Sequence, residues 1–351
     1  MVTTFPNLYD ISWKVDEPTY RKDSALSYST LARFSREGFN NLDKLFDKIE
    51  TPSLTFGSAV DALITGGQEE FDDNFIVAEF PPIKDSIAKI VTELFKSYSH
   101  QYTSLNDIPN DIIISFSESH SFQLNWKPET RAKVIKEQGG EYYNLLYLAG
   151  NKKIISTELK NQVDAAVRAL KESPATANFF APNDPFDSTI QRYYQLKFKA
   201  TFNNVNYRCM ADLICVDNLH KVILPVDLKT SSHTEWDFPQ SFIQWLYMIQ
   251  ARLYANIIKH NIEKSSDFSG YKVLPYKFIV VNKNTLTPLV WDYEDTFKEG
   301  TLYYGKNKQI ECRDPRDIGE ELTYYLNKQP KVPKGIDAIH SNDLIEWLNK
   351  I

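Results

Sequence analysis

Two acidic residues stand on neighbouring β-rich runs: Asp212 in Met210-Ala-Asp-Leu-Ile214 and Asp227 in Val226-Asp-Leu-Lys-Thr230. Asp217-Asn218 between them is a turn signal, so Tyr207 to Val216 and Lys221 to Leu228 read as a hairpin that sets the two carboxylates side by side. Paired carboxylates suit phosphodiester hydrolysis. A divalent cation held by oxygens polarises the phosphate and lowers the pKa of a water for in-line attack. Strand residues two apart share a face, so Lys229 points with Asp227 and can position the water or offset charge on a phosphorane-like transition state. The carbonyl of Leu228 offers a further oxygen ligand.

An acidic-x-Lys triplet alone says little, and the chain holds a second one, Glu158-Leu-Lys160, in a run whose apolar spacing (Val163, Ala166, Val167, Leu170) predicts a helix over 157–171. What separates the two is context. Asp227 follows a hairpin with its own aspartate and precedes an amphipathic run, Ser241 to Lys259, with Phe242, Leu246, Ile249, Leu253 and Ile257 on one stripe. On that predicted helix Tyr247, Gln250 and Tyr254 fall within about 60° of one another, flanking the stripe and facing a cleft.

Around this core, residues 24–66 read as helices. Ser29 or Thr30 is placed to cap the first, and Gly66-Gly67 to end one that includes Phe56 to Ile64. Residues 67–155 mix turn-rich stretches with short helical patterns such as Ile87 to Tyr98. Tyr193 to Phe202 is strand-like, and Tyr276 to Val281 is a strand paired with Pro288 to Trp291. Pro225 speaks for an edge or a bulge in its strand. The tail, 300–351, reads as helical, with Ser341 capping Leu344 to Leu348. The order (helices, hairpin or meander, long helix, further strand) describes an α/β sandwich rather than a doubly wound sheet. The expected organisation is one domain over 1–351: N-terminal helices at 24–66, an insertion with helices at 67–185, a core at 186–295 and a helical tail at 296–351.

These residues resemble the PD-(D/E)xK nuclease superfamily, more narrowly the phage and RecB-like exonucleases, among them the exodeoxyribonuclease VIII and Cas4-like branches. The matches are Ser27/Ser29, Gly57-Ser-Ala-Val-Asp61, Asp212, Asp227-Leu-Lys229 and Gln250/Tyr254, scattered over residues 24–290 and tight in 207–254. The resemblance implies a restriction-endonuclease-like α/β sandwich with a central mixed sheet, and a Mg²⁺- or Mn²⁺-dependent deoxyribonuclease, most simply an exonuclease of phage-type recombination or DNA-end processing. It implies Mg²⁺ on Asp212, Asp227 and the Leu228 carbonyl together with Asp61, with Lys229 aligning the water and Gln250 and Tyr254 holding the lysine and the DNA backbone. It further implies DNA contacts at Ser27, Ser29, Arg33, Arg36, Thr230 and Tyr247. A single-strand annealing protein is the partner it suggests, and rings of subunits the assembly. Two positions depart from the pattern: Asp61 stands where a metal-ligating His is usual, and Gln195 where an upstream Glu is expected. An aspartate suits Mg²⁺ or Mn²⁺ as an oxygen ligand, whereas a neutral amide is a weak one.

The composition is compatible with this. The 351 residues are 42% hydrophobic, enough for a core and against wholesale disorder. The net charge of −6 excludes a passive basic coat for nucleic acid, while 186–260 carries eight Lys/Arg against six Asp/Glu, a local surplus of two. Arg33, Arg36, Lys197, Lys199 and Arg208 are then the expected contacts, and salt-sensitive ones. Three cysteines are too few for an all-thiolate iron–sulfur cluster, and six histidines show no ligand spacing. With no apolar run near the roughly 18 residues of a membrane span and no signal-peptide pattern, the expected location is the cytoplasm, the host's if the chain is phage-encoded. The competing reading is a nuclease-like DNA-end-binding or structural subunit whose metal site is weakened at Gln195.

Overall fold

The computed structural model of the chain describes residues 5–47, 51–296 and 298–328. Its first half runs α1 (Leu8–Ile11), α2 (Glu17–Lys22), α3 (Tyr28–Glu37), α4 (Pro52–Thr65), α5 (Gly67–Asn74), β1 (Phe75–Val77), α6 (Asp85–Tyr98), α7 (Asn110–Ser119), α8 (Pro128–Ala149), β2 (Lys153–Ile155), α9 (Thr157–Glu172) and α10 (Ala177–Phe180). The second half runs β3 (Ile190–Phe202), β4 (Val205–Asp217), β5 (Val222–Ser231), α11 (Phe238–Gln244), α12 (Tyr247–Glu263), β6 (Lys272–Val273), β7 (Lys277–Asn282), β8 (Pro288–Asp292), β9 (Gly300–Tyr304), β10 (Lys308–Cys312) and α13 (Pro315–Lys328).

The main sheet has the order β3-β4-β5-β7-β8, with β6 beside β5. β5 runs parallel to β6 and β7, and the other pairs are antiparallel, so the sheet is mixed. Period-two alternation gives it two apolar faces. On β7, Phe278 and Val280 enter one core with α12 and α3, while Ile279 and Val281 enter another with α4 and α9. The result is an α/β sandwich with helices on both faces of a central mixed sheet.

Local chemistry accounts for several boundaries. Thr51 caps α4, its side chain accepting from Leu54 N, and Pro52 occupies the first turn, where its missing N–H is no loss. At the start of α3 the residue in capping position is Ser27, not Ser29 or Thr30. Its side chain accepts no cap bond and meets Ser29 Oγ (2.9 Å) and Thr30 Oγ1 (3.2 Å) instead. Pro225 lies in a central strand rather than at an edge but, as its missing N–H leads one to expect, it is not paired on both sides. It pairs with Ile214 on one side; on the other, β6 reaches only Ile223 and β7 begins at Val226, so the gap accommodates a residue without an N–H.

Three stretches differ from the sequence pattern. The run 241–259 is not one helix. It breaks between α11 and α12 at Leu246, which is fully buried and left-handed (φ 57°, ψ 43°). The tail begins with an antiparallel hairpin, β9–β10, before α13; the proposed Ser341 cap lies outside the described residues. Within 67–155, α6, α7 and α8 enclose an apolar cluster of their own, including Ile90, Leu94, Ile113, Ile135 and Tyr143, between β1 and its parallel partner β2. Gly139 lets α8 seat on α6, because a Cβ there would come within 2.6 Å of Val91. Among the described residues no helix is long and apolar enough to cross a membrane.

Candidate active site

β4 and β5 pair from Asp217↔Val222 to Leu213↔Val226 and then part. One residue beyond the last pair, Asp212 reaches across the split, and its Oδ2 accepts the Leu228 N–H at 2.9 Å. A carboxylate thus substitutes for a main-chain acceptor. In extended backbone a residue's N–H and C=O leave on the same edge, so the Leu228 carbonyl also looks into the split. Further along, β4 is accompanied by Leu26 rather than β5: Leu26 N donates to Asn206 O (2.8 Å) and Arg208 N to Leu26 O (2.9 Å). The start of α3 is thereby fixed beside the opening.

The opposing position on β3 is Gln195, left-handed at φ 52° and lacking the pairing that Tyr194↔Leu213 and Leu196↔Ala211 make on either side. Burial changes parity here on both strands. Tyr193 and Leu196 enter the same core, as do Ala211 and Ile214. The sheet kinks at the level of Asp212.

Asp227 is 1% exposed and faces α12. Its Oδ1 accepts from Gln250 Nε2, and its Oδ2 is ion-paired with Lys229 Nζ. The lysine also lies 5.0 Å from the Tyr247 ring centre. Tyr247 leans on Phe238, Phe242 and Phe278, with ring separations from 5.7 to 6.3 Å. Burial would lower the Lys229 pKa, but the charge of Asp227, its ion-pair partner, outweighs it and holds it above its ordinary value. The lysine's neighbours are therefore Asp227 and Tyr247, not the expected Gln250 and Tyr254. Tyr254 is buried against Tyr276 (6.2 Å between rings). The Tyr276 hydroxyl and Gln250 Oε1 are buried without hydrogen-bond partners.

Asp61 arrives from α4, on the other face of the sheet. Its Oδ2 accepts from Gln195 Nε2 at 2.9 Å, and its buried Oδ1 has no partner. Burial, then the charges of Glu70 and Asp227, push its pKa up to about 7. Asp212 is raised well above the usual carboxylate range by burial, and by Asp227 and Asp61. Glu70 was not anticipated from sequence. It folds back to Thr65 Oγ1 (3.0 Å) over Gly66, where any Cβ would collide with it. Nothing in its sequence neighbourhood marks it.

Thr230 lies close under α4: a Cβ on Gly57 would meet its Oγ1 at 3.0 Å. Ser27 is buried and Ser29 exposed at the start of α3. Several cations expected at DNA are used within the fold. Arg33 binds Glu37 Oε1 (3.1 Å) and the carbonyls of Leu45 and Asp47. Arg208, 8% exposed, donates to the carbonyls of Tyr20, Asp23 and Arg21. Lys199 pairs with Asp23 and sits 3.8 Å from the Trp13 ring centre. Arg36 instead lies over the partly exposed Trp245.

Among the described residues no three His, Cys, Asp or Glu side chains gather as a ready metal cage, so Asp61, Asp212 and Asp227 do not form one unaided. The donor chemistry still suits a hard cation: the Asp212 carboxylate lies at the split that the Leu228 carbonyl faces, Asp227 stands one residue before Leu228 on the same strand, and Asp61 Oδ1 is buried without a partner.

No family model matches the chain, and no curated protein matches its sequence. Among solved structures it is similar, with a TM-score of 0.40 and 13% identity over 90% of this chain and 83% of the other, to a crystal structure named "Putative exonuclease" from Eubacterium rectale.

Proposed function

We propose that this protein is a metal-dependent DNA nuclease that hydrolyses phosphodiester bonds at the ends of linear DNA. The observation carrying this reading is the split between β4 and β5, where Asp212 holds the Leu228 N–H and the neighbouring strand presents Asp227 and Lys229 on one face. Mg²⁺ or Mn²⁺, held by Asp212, Asp227 and the Leu228 carbonyl with Asp61, would supply Lewis-acid polarisation of the phosphate and a water of lowered pKa. The chain's own groups do the rest. Gln250 fixes the rotamer of Asp227, so that its second oxygen faces the lysine and the split. Tyr247 covers the lysine stem and limits where the ammonium can move. That ammonium orients the attacking water and offsets charge developing on the phosphate oxygens.

The test is cleavage of end-labelled linear duplex with Mg²⁺ or Mn²⁺. Wild type releases labelled product and Lys229→Ala does not; a wild type that cuts with neither metal sinks the proposal. One observation favours a second reading, a DNA-end-binding subunit without catalysis: Gln195 donates its amide to Asp61 where an acidic side chain would add a metal ligand. End binding without cutting under either metal is the result that reading requires.

A further inference from the structure

The break in the long helix has a consequence beyond the hydrolytic corner. A buried, non-glycine residue with left-handed backbone carries strain, and such strain gathers at functional positions. Leu246 is one, and the break there starts a new helix at Tyr247 while leaving Trp245 43% exposed just outside it. The Tyr28 hydroxyl donates to the Trp245 carbonyl at 2.5 Å, pinning this turn to α3. The Arg36 guanidinium, from the same helix, lies 5.1 Å over the Trp245 ring. The Tyr28 ring lies 6.3 Å from that of Tyr247, which covers Lys229. Lys229, Tyr247 and Tyr28 thus follow one another by ring contacts, and the Tyr28 hydroxyl ties this row to the backbone of Trp245, whose indole carries Arg36.

We propose that Trp245, backed by Arg36, is the platform on which an unpaired base of a single-stranded DNA end stacks as the strand enters toward Lys229. Within a duplex, bases hide their faces against one another and show only edges; an unpaired base offers the face that an indole can take up. The indole matches the area of one base rather than of a base pair, and Arg36 is placed for the adjoining phosphate. The inference takes its direction from the nuclease reading, but its test is independent of cleavage.

Binding is measured in EDTA by fluorescence anisotropy, using labelled hairpin DNA with an oligo-dT overhang and the same hairpin with a blunt end. Wild type binds the overhang more tightly than the blunt end. Trp245→Ala weakens the overhang about tenfold, removing most of that preference, while Trp245→Phe stays within about twofold because a ring remains. Arg36→Gln weakens it less and flattens the salt dependence. Phe186→Ala, which removes a ring 98% exposed in the loop before β3, changes nothing. The proposal is overturned if Trp245→Ala binds the overhang as wild type does, or loses overhang and blunt end equally. Should Trp245→Ala melt early, Trp245→Leu against Trp245→Phe, both bulky, decides the same question. If no metal supports cutting yet the overhang preference depends on Trp245, the platform stands and the hydrolytic reading falls.

Discussion

Two acidic-x-Lys triplets in this chain share a Leu at the centre and nothing else. Glu158-Leu-Lys160 lies in α9, where residues two apart point to nearly opposite sides. Its lysine turns to Asp164, one helical turn on (2.6 Å), and lies 4.9 Å from the Phe71 ring centre, while Glu158 is exposed. Asp227-Leu-Lys229 lies in β5, where residues two apart share a face, and its acid and base are ion-paired. The lesson is that the triplet gains meaning from the element that carries it. The same acid-Leu-Lys order sends its lysine to the next turn of a helix in one case and holds acid and lysine together on one face of a strand in the other.

Paired substitutions of the two lysines separate the triplets most strongly. Lys229→Ala lowers the rate of cleavage of end-labelled duplex by about 10²–10³-fold, the scale of losing one preorganised charge at a reacting phosphate. Lys160→Ala leaves the rate within about twofold, and equal losses in both would dissolve the distinction between the triplets. Asp212→Asn acts on the split itself. It removes a carboxyl that burial and the charges of Asp227 and Asp61 make costly to ionise, so cleavage is lost while the melting temperature of the metal-free protein rises. A fall in melting temperature would show that the Leu228 N–H bond outweighs the repulsion.

Gln250→Ala strips Asp227 of its neutral donor and destabilises by about 1–3 kcal/mol, the penalty for a buried acceptor left unsatisfied, measurable by urea unfolding. The pH response is gentler and has a definite sign. The Asp61 carboxyl, at about 7 in the folded chain, binds its proton more tightly than in the unfolded chain, where the ordinary value is about 3.9. In EDTA, stability therefore falls as pH rises from about 4 through 7 and then levels off. Asp61→Asn flattens that slope, and Mg²⁺ raises the melting temperature above pH 7 in wild type more than in the variant. An unchanged slope in Asp61→Asn would remove Asp61 from the account. The smallest effect returns to α9, where Lys160→Ala costs about 1 kcal/mol, the half-exposed pair with Asp164 and the contact with the Phe71 ring each being worth a fraction of that.

Much of this was legible in the residues. Strand-like, β-rich runs marked β3, β4, β5, β7 and β8, and the Asp217-Asn218 turn joined the strands that carry Asp212 and Asp227. The helix break was not legible, because Phe242, Leu246 and Ile249 keep their apolar stripe across it and periodicity is blind to one left-handed residue. Nor was the hairpin β9–β10, which interrupts a tail that reads as helical. The roles of Arg33, Lys199 and Arg208 were hidden too. A count of local charge cannot tell a cation offered to a ligand from one already bound to carbonyls or to Asp23.

Residue types and their local spacing set which chemistry is available: two carboxylates on adjacent strands, a lysine two residues beyond one of them, and a glutamine one helix away. Periodicity and turn chemistry are local, and they suffice to assign faces and neighbours. Only the tertiary structure decided that β4 and β5 part at Asp212, that the kink at Gln195 lies opposite it, and that Gln195 gives its amide to Asp61, 134 residues away in the chain. Those outcomes depend on burial and on charges brought together from distant segments. A carboxyl's partner and its proton affinity are properties of the assembled interior, not of the residues beside it in the chain.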